Sequence, residues 1–252
     1  MRNQQSMILH ANRPSQSGIP SILEGVPAFR HLLSTAKHVS LKEGDVLFRQ
    51  GAPGDGCYWL EAGILSVSIA SNKGDERVLA VLGPGSIVGE LAMLDGLPRS
   101  ATVRAIRDCT LAFLARATFK AGLCRDPDTY RYLVDVLVGR LRHADEEAAA
   151  ATFLPVRARV ARALLHLARY LGEPMTPGEC DRIFIRHNLT HHDLAALAGV
   201  ARESVSRTLS VWRDKGIVEP SGRAAQVVSL SALEAEAASG TCRELHKILN
   251  GQ

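Results

Sequence analysis

Residues 89–105 have the sequence GELAMLDGLPRSATVRA, which combines a short apolar turn with two charged side chains, Glu90 and Arg99. From Ala101 onward the segment alternates like a β-strand. A charged side chain in a segment built for burial needs a partner, because its desolvation is otherwise uncompensated. Two alternatives are open on these residues alone: an internal Glu90–Arg99 ion pair that closes a loop, or a small anion bound from outside.

The segment contains the groups that a phosphate-bearing nucleotide requires. A phosphodiester is held by an arginine and by backbone N–H groups, and a ribose hydroxyl needs an acceptor. Arg99 and Ser100 follow a turn, and Glu90 can act as the acceptor. Apolar walls would come from Val88, Leu91 and Leu97. A buried ion pair contributes little stability, so the Glu90–Arg99 pair would need a further reason to be there. The residues alone leave both alternatives open, the internal ion pair and the bound anion.

The bulk properties are those of an ordinary globular protein. The 252 residues are 46% hydrophobic and 22% charged, with a net charge of +4, and this length suffices for two domains. No apolar run reaches the roughly eighteen residues of a membrane helix, and the N-terminus lacks the pattern of a secretion signal. The five cysteines are scattered, which favours free thiols in the cytoplasm over a metal or iron–sulfur site.

The first half of the chain has the pattern of an all-β domain. Short runs rich in β-branched residues are separated by Gly and Pro between residues 22 and 115, which predicts a sandwich or jelly roll. Turns are expected at residues 61–63 (EAG) and 72–75 (NKGD). The polar residues 1–21 are expected to be disordered.

A long helix is predicted from Asp126-Pro127, which supply an N-cap and a first helical residue, to Phe153. Its apolar residues recur at alternating steps of three and four, the spacing of a coiled coil, which favours dimerisation over packing on its own domain. Pro155 then ends or bends the helix, so residues 153–155 are a candidate hinge. The apolar set is Val134, Leu137, Leu141, Ala144, Ala148 and Ala151.

Residues 190–215 have the pattern of a helix-turn-helix. Thr190 and Asp193 form a capping box, and Gly199 is placed to end the first helix. A second helix is predicted from about Arg202 to Lys215, followed by a winglike segment, GIVEPSGRAAQVVSL. Two short helices joined by a glycine-containing turn form the unit whose second helix enters the DNA major groove.

The second helix is amphipathic. Its polar face spans about 140° and carries Arg202, Glu203, Ser206, Arg207 and Ser210, while Val205, Leu209 and Trp212 lie opposite. Arginine pairs with guanine O6 and N7, and glutamate accepts from cytosine N4. The competing interpretation is a solvated, self-paired surface.

The motifs together resemble a known family. GELAMLDGLPRSATVRA is similar to the phosphate-binding cassette of cyclic-nucleotide-binding domains, and VLFRQG, YWLEAGILSV and RESVSRTL extend the likeness over residues 23–235. The chain thereby resembles the CRP/FNR superfamily of transcription regulators, in particular its cyclic AMP receptor type. The resemblance implies an α+β chain with a cyclic-nucleotide-binding β jelly roll (22–125), a dimerisation helix (126–153), a winged helix-turn-helix domain (154–236) and a C-terminal tail (237–252).

The resemblance also implies roles for individual residues. Glu90 would accept a hydrogen bond from the ribose 2′-hydroxyl, and Arg99 and Ser100 would hold the phosphate, assisted by backbone N–H groups around Gly89, Leu91 and Ala101. On the recognition helix, Arg202, Glu203 and Arg207 match the family's base-contacting positions. The candidate DNA-binding set is Arg202, Glu203, Ser204, Ser206 and Arg207. The expected partners are a second copy of the chain, palindromic DNA with TGTGA-like half-sites, and RNA polymerase. Neither enzymatic activity nor a cofactor is expected.

Two positions depart from the family pattern. The family recognises adenine with a Thr-Ser pair on the dimer helix, where this chain has Ala144 and Asp145. Asp145 can accept from an amino group, which adenine N6 and guanine N2 both offer, so the effector is cyclic AMP, cyclic GMP or both. Ala201 stands where a hydroxyl residue often caps the recognition helix. The alternatives are a regulator with a different effector or none, and a cyclic-nucleotide-binding module that acts through protein partners.

Overall fold

The computed structural model describes most of the chain. The described residues are 33, 36–72, 74, 76–125, 127–174, 181–185, 190–221, 224–227 and 229–239. Within these ranges, side chains are not described at 122–125, 127–129, 132, 220, 221 and 224–227.

A six-stranded antiparallel sheet forms the first half, as the jelly-roll prediction requires. The strand order is β1-β6-β3-β4, with β2 paired to β6 and β5 paired to β3. The strands are β1 (Lys37–Leu41), β2 (Val46–Phe48), β3 (Gly56–Ala70), β4 (Glu76–Leu82), β5 (Ile87–Val88) and β6 (Thr102–Ala115).

The predicted turn at residues 61–63 is wrong, because β3 runs through it without interruption. Gly63 has a φ of 96°, and a Cβ atom there would lie 2.3 Å from the carbonyl oxygen of Asp108 on β6. This glycine therefore permits close contact between two long strands and does not end one. The reversal expected at residues 72–75 falls between β3 and β4, where Gly74 has a φ of 86°; residues 73 and 75 lie outside the described residues.

The described residues of this half also include the helices α1 (Glu90–Asp95), α2 (Arg116–Arg125) and α3 (Pro127–Phe153). One buried cluster joins them to the sheet. Trp59 and Ile87 of the sheet pack with Met93 of α1 and with Leu133 and Val136 of α3. Burial of these apolar side chains fixes α1 and α3 against the same sheet, which places the quoted segment beside the long helix.

The predicted seam on α3 is partly wrong. Leu137 packs against the buried cluster, whereas Val138, which the spacing did not select, is exposed. The first half of α3 has two apolar faces, and a count of apolar steps cannot separate them. The exposed stripe consists of Tyr130, Val134, Val138 and Leu141, which lie within about 80° of one another around the helix.

In the second half, the described residues form four helices and a small sheet. The helices are α4 (Val156–Leu171), α5 (His191–Ala198), α6 (Arg202–Asp214) and α7 (Leu230–Ala238). The sheet order is β7-β8-β10-β9, with β7 (Gly172–Pro174), β8 (Ile183–Ile185), β9 (Val218–Ser221) and β10 (Ala224–Val227). The antiparallel pair β9–β10 is the predicted wing. Strands β7 and β8 were not predicted, because three-residue runs carry too little periodicity.

The chain folds into two compact units, one formed by residues up to Leu65 with Leu82–Glu146, the other by Ser66–Val81 with the residues from Glu147 onward. The long helix ends at Phe153 and Pro155 is the N-cap of α4, as predicted. The domain boundaries stay predictions. No described helix combines the length and apolar character needed to cross a membrane.

Glu236 of α7 ties three helices of the second unit together. Its side chain is 12% exposed and accepts hydrogen bonds from Arg157 of α4, at 2.8 and 2.9 Å, and from Lys215 at the end of α6, at 3.3 Å. Burial alone would raise the pKa of Glu236, but the Lys215 hydrogen bond and the Arg157 charge outweigh it and hold the pKa below its ordinary 4.5.

Glu236→Gln is expected to lower the free energy of unfolding at pH 7 by about 1–2 kcal/mol. Because the folded-state pKa is lowered, the carboxylate's contribution is present above its unfolded value of 4.5 and is lost as pH falls through the folded-state value. The difference between wild type and variant should therefore shrink in acid.

The measurement is urea unfolding at pH 7 and at about pH 3, followed through the fluorescence of the buried Trp212 in a Trp59→Phe background. Glu234→Gln, an exposed change on the same helix, is the matched control. A difference that stays the same at both pH values would show that Glu236 does not stabilise through its charge.

Candidate functional site

Arg99 is 3% exposed and is held by the backbone on both sides. Its Nη1 donates to the carbonyl oxygens of Gly56, at 2.7 Å, and Gly89, at 2.8 Å. The Phe48 ring lies against the guanidinium, with 4.3 Å between Cζ and the ring centroid. These contacts fix the plane of the guanidinium.

One edge of this guanidinium is left for a ligand. Both hydrogens of Nη1 are used, Nε is buried without a hydrogen-bond partner among the described residues, and Nη2 lies 3.5 Å from the carboxylate of Asp55. Asp55 is 79% exposed, so solvent weakens this ion pair. The Nε–Nη2 edge has the geometry that binds two oxygens of a phosphate.

Gly89 allows Arg99 to reach this position. Its φ is 80°, in the left-handed region that favours glycine. A Cβ atom at residue 89 would lie 2.3 Å from Nη1 of Arg99. Any side chain at this position would therefore displace the guanidinium, which explains the glycine at the start of the motif.

Glu90, the first residue of α1, is 1% exposed. Its Oε1 accepts from Nη1 of Arg140 on α3, and Nη2 of Arg140 donates to the carbonyl oxygen of Ile87. Oε2 is buried and has no hydrogen-bond partner within the part of the chain that the structure describes. The Glu90–Arg99 pair considered from the sequence is therefore not formed, because each residue has other partners.

Arg140 is the residue of this site that the sequence did not reveal. The sequence places it only among the charged flanks of the long helix, fifty residues after Glu90. It lies about 120° from Val134 around α3, on the side that packs against the sheet. In the sequence, Arg140 can be recognised only as a single arginine between the two apolar faces of the helix. This pattern does not indicate which residue pairs with it.

The other predicted ligand-binding residues differ in their exposure. Ser100 is exposed beside Arg99, Leu91 is exposed on α1, and Ala101 is buried directly before β6. Asp145 is exposed and lies about 140° around the helix from Arg140, so it does not face Glu90 of its own chain. It falls instead within the exposed stripe of α3.

Cys57 lies next to Gly56 and close to both charged groups. Burial and the Glu90 carboxylate raise the pKa of this thiol to about 12, although Arg99 opposes the shift. The thiol therefore stays protonated and unreactive. Cys57 and Cys109 are free; Cys124, Cys180 and Cys242 lie outside the described side chains. The described residues form no group of three or more His, Cys, Asp or Glu that could hold a metal ion.

The predicted helix-turn-helix is formed by α5 and α6. Thr190 and Asp193 make the predicted capping box, and Gly199 ends α5 with a φ of 62°. Arg159 of α4 donates to the carbonyl oxygens of Ala198, at 3.1 Å, and Gly199. Burial, with the nearby charge of Arg77, lowers the pKa of Arg159. The turn is thus anchored by the guanidinium of Arg159, which stays protonated in the ordinary pH range.

The recognition helix α6 has the predicted faces. Val205, Leu209 and Trp212 are buried, while Arg202, Glu203 and Arg207 are exposed and Ser204 and Ser206 are half-buried. Ala201 is the N-cap and makes no side-chain hydrogen bond. His191 of α5 forms a hydrogen bond with Ser206, with 2.8 Å between Nδ1 and Oγ.

Comparison with protein families matches both halves of the chain. Residues 38–126 match the cyclic nucleotide-binding domain, and residues 158–236 match the Crp-like helix-turn-helix domain. The first match contains Glu90 and Arg99, and the second contains the whole of α5 and α6.

Individual relatives agree with these matches. The cyclic AMP receptor protein of Thermus thermophilus is 34% identical over 220 residues, which cover 84% of this chain and 97% of that protein. A CRP/FNR-family transcriptional regulator from the same organism superposes with a TM-score of 0.69 at 26% identity, covering 81% of this chain and 100% of the other. The c-di-GMP-responsive global regulator CLP of Xanthomonas campestris superposes with a TM-score of 0.67 at 25% identity, covering 80% and 98%. With a cyclic nucleotide-binding domain ahead of a Crp-like helix-turn-helix and this level of identity, the chain belongs to the CRP/FNR family of transcription regulators, close to CRP.

Proposed function

We propose that this regulator binds a cyclic mononucleotide at Glu90 and Arg99 and, as a homodimer, binds a palindromic DNA site with two copies of α6. The observation that carries the effector assignment concerns two polar atoms, Oε2 of Glu90 and Nε of Arg99, which have no hydrogen-bond partner among the described residues although both side chains are almost fully buried. An acceptor and a charged donor left unsatisfied in one segment are costly unless a ligand uses them.

A cyclic nucleotide matches both atoms. Its phosphate accepts from the Nε–Nη2 edge of Arg99, with Ser100 and the backbone N–H groups around Gly89, Leu91 and Ala101 beside it. Its ribose 2′-hydroxyl donates to Oε2 of Glu90, whose Oε1 is already engaged by Arg140. The ligand thus adds to a network that reaches α3.

The exposed stripe of α3 supports the homodimer. Four large apolar side chains lie on one face of a long helix, and a second copy of that face would bury them. Asp145 lies within this stripe, so in a dimer it is placed at the helix pair, where it accepts from the purine amino group. Both adenine and guanine supply such a group, and the effector is cyclic AMP, cyclic GMP or both.

Effector binding changes DNA affinity only if the two DNA-binding domains change their arrangement with it. A palindromic site with TGTGA-like half-sites requires the two recognition helices about 34 Å apart, one turn of DNA. A ligand held between the β-roll and α3 favours the dimer arrangement that it binds more tightly. RNA polymerase is the further partner that family membership suggests.

Calorimetric titration of the full chain with cyclic AMP, cyclic GMP and c-di-GMP tests the effector. We expect saturable binding of at least one cyclic mononucleotide, with one site per chain, and an increased affinity for a palindromic duplex at fixed salt. If neither cyclic AMP nor cyclic GMP binds, whether or not c-di-GMP does, the effector assignment fails while DNA binding stands. If a bound nucleotide leaves DNA affinity unchanged, the coupling fails.

A further inference from the structure

A hydrogen bond joins the first helix of the helix-turn-helix to the exposed face of the second. Nδ1 of His191 lies 2.8 Å from Oγ of Ser206. His191 is the first residue of α5, directly after the Thr190 capping box, so its backbone position is fixed. The half-buried Ser206 thus has a hydrogen-bond partner from outside its own helix.

Ser206 lies inside the polar face of α6. It is about 40° around the helix from Arg202, while Glu203 and Arg207 lie at about 100° and 140°. A serine hydroxyl that rotates freely can donate or accept, so it contacts any base edge and discriminates poorly. A hydroxyl whose hydrogen is committed to a fixed partner presents only one kind of group to DNA.

We propose that His191 is a positioning residue for sequence specificity, which acts by fixing the direction of the Ser206 hydroxyl hydrogen. The inference rests on the proposed DNA-binding face of α6. In the tautomer that carries its proton on Nε2, Nδ1 accepts the Ser206 hydrogen, and Ser206 then offers only lone pairs to the groove, which suit adenine N6 and cytosine N4. The opposite tautomer would donate to Oγ and leave the hydroxyl hydrogen free to rotate, so it would not discriminate between bases. With Nδ1 as the acceptor, one base-pair position is discriminated through a residue on the other helix.

The test is selection of binding sites from a randomised palindromic duplex library, followed by affinity measurements on the selected site and its single-base variants. His191→Ala is expected to reduce the preference at one base pair of each half-site by about three- to tenfold, the effect of one neutral hydrogen bond. Ser206→Ala should cause the same loss, and combining the two changes should add nothing further.

Two variants separate positioning from structure. His191→Asn places an amide near the position of Nδ1 and should keep most of the preference, whereas a merely steric role would not be restored. His192→Ala removes the neighbouring exposed imidazole of the same helix and should leave the base preference unchanged.

Three outcomes would overturn the inference. Equal weakening of every duplex by His191→Ala would identify His191 as a phosphate contact, and an unchanged preference would show that the hydrogen bond has no part in recognition. Absence of any sequence preference in the wild type would instead overturn the proposed DNA-binding function, and the inference with it.

Discussion

Replacing Arg99 by leucine is expected to weaken cyclic-nucleotide binding by about 100-fold or more, the effect of losing two charge-assisted hydrogen bonds to one phosphate. Arg116 is partly committed elsewhere, because its Nη2 donates to the carbonyl oxygens of Gly54, at 2.9 Å, and Ala92, at 2.7 Å. Calorimetric titration of the variant at the ligand concentrations that saturate the wild type measures the loss.

Leucine also leaves the carbonyl oxygens of Gly56 and Gly89 without their donor, so a loss of affinity could reflect local unfolding. Asp55→Asn is the matched control, because it touches only the exposed neighbour of Nη2. Removing that carboxylate eliminates a repulsion against the incoming phosphate and should strengthen binding by about two- to threefold. Unchanged nucleotide affinity in Arg99→Leu, or weaker binding in Asp55→Asn, would contradict the phosphate assignment.

The two charged residues of the site could be predicted from the sequence, because both lie in one short segment whose chemistry is local. Glycine before an acid, followed by Pro-Arg-Ser, identified Glu90 and Arg99 as a pair in need of partners. The identity of those partners is a tertiary property. Arg140 reaches Glu90 only because Leu133 and Val136 seat α3 on the sheet, and no local pattern encodes that contact.

The same limit explains the errors in the fold. Gly63 lies in a segment whose composition is typical of a turn. Its close approach to Asp108 shows instead that the neighbouring strand leaves no room for a side chain at this position. Leu137 and Val138 are adjacent and both apolar, and only the packing of the sheet decides that Leu137 is covered and Val138 exposed. In the helix-turn-helix the contacts join residues that are close together in the sequence. There the capping box, the glycine turn and the buried face were all predicted correctly.

Leu141→Asp is expected to convert the proposed homodimer into a monomer. Leu141 is 63% exposed and lies between Val138 and Asp145 on the stripe of α3. Its change to aspartate would remove apolar area from both helices of the dimer. It would also bury two carboxylates, one from each copy of the chain, against each other. Light scattering at micromolar concentration should give a mass of 27.2 kDa for the variant and twice that for the wild type.

Loss of the dimer has a distinct effect on DNA binding. Two linked recognition helices bind a palindrome far more tightly than one, because the second contact is intramolecular. Leu141→Asp should therefore weaken binding to the palindrome by about 100-fold or more, while affinity for an isolated half-site stays unchanged. Leu79→Asp, the same substitution at an exposed leucine of β4, should preserve both the dimer mass and the palindrome affinity. If Leu141→Asp remains a dimer, the second copy docks elsewhere and the stripe of α3 must have a different partner.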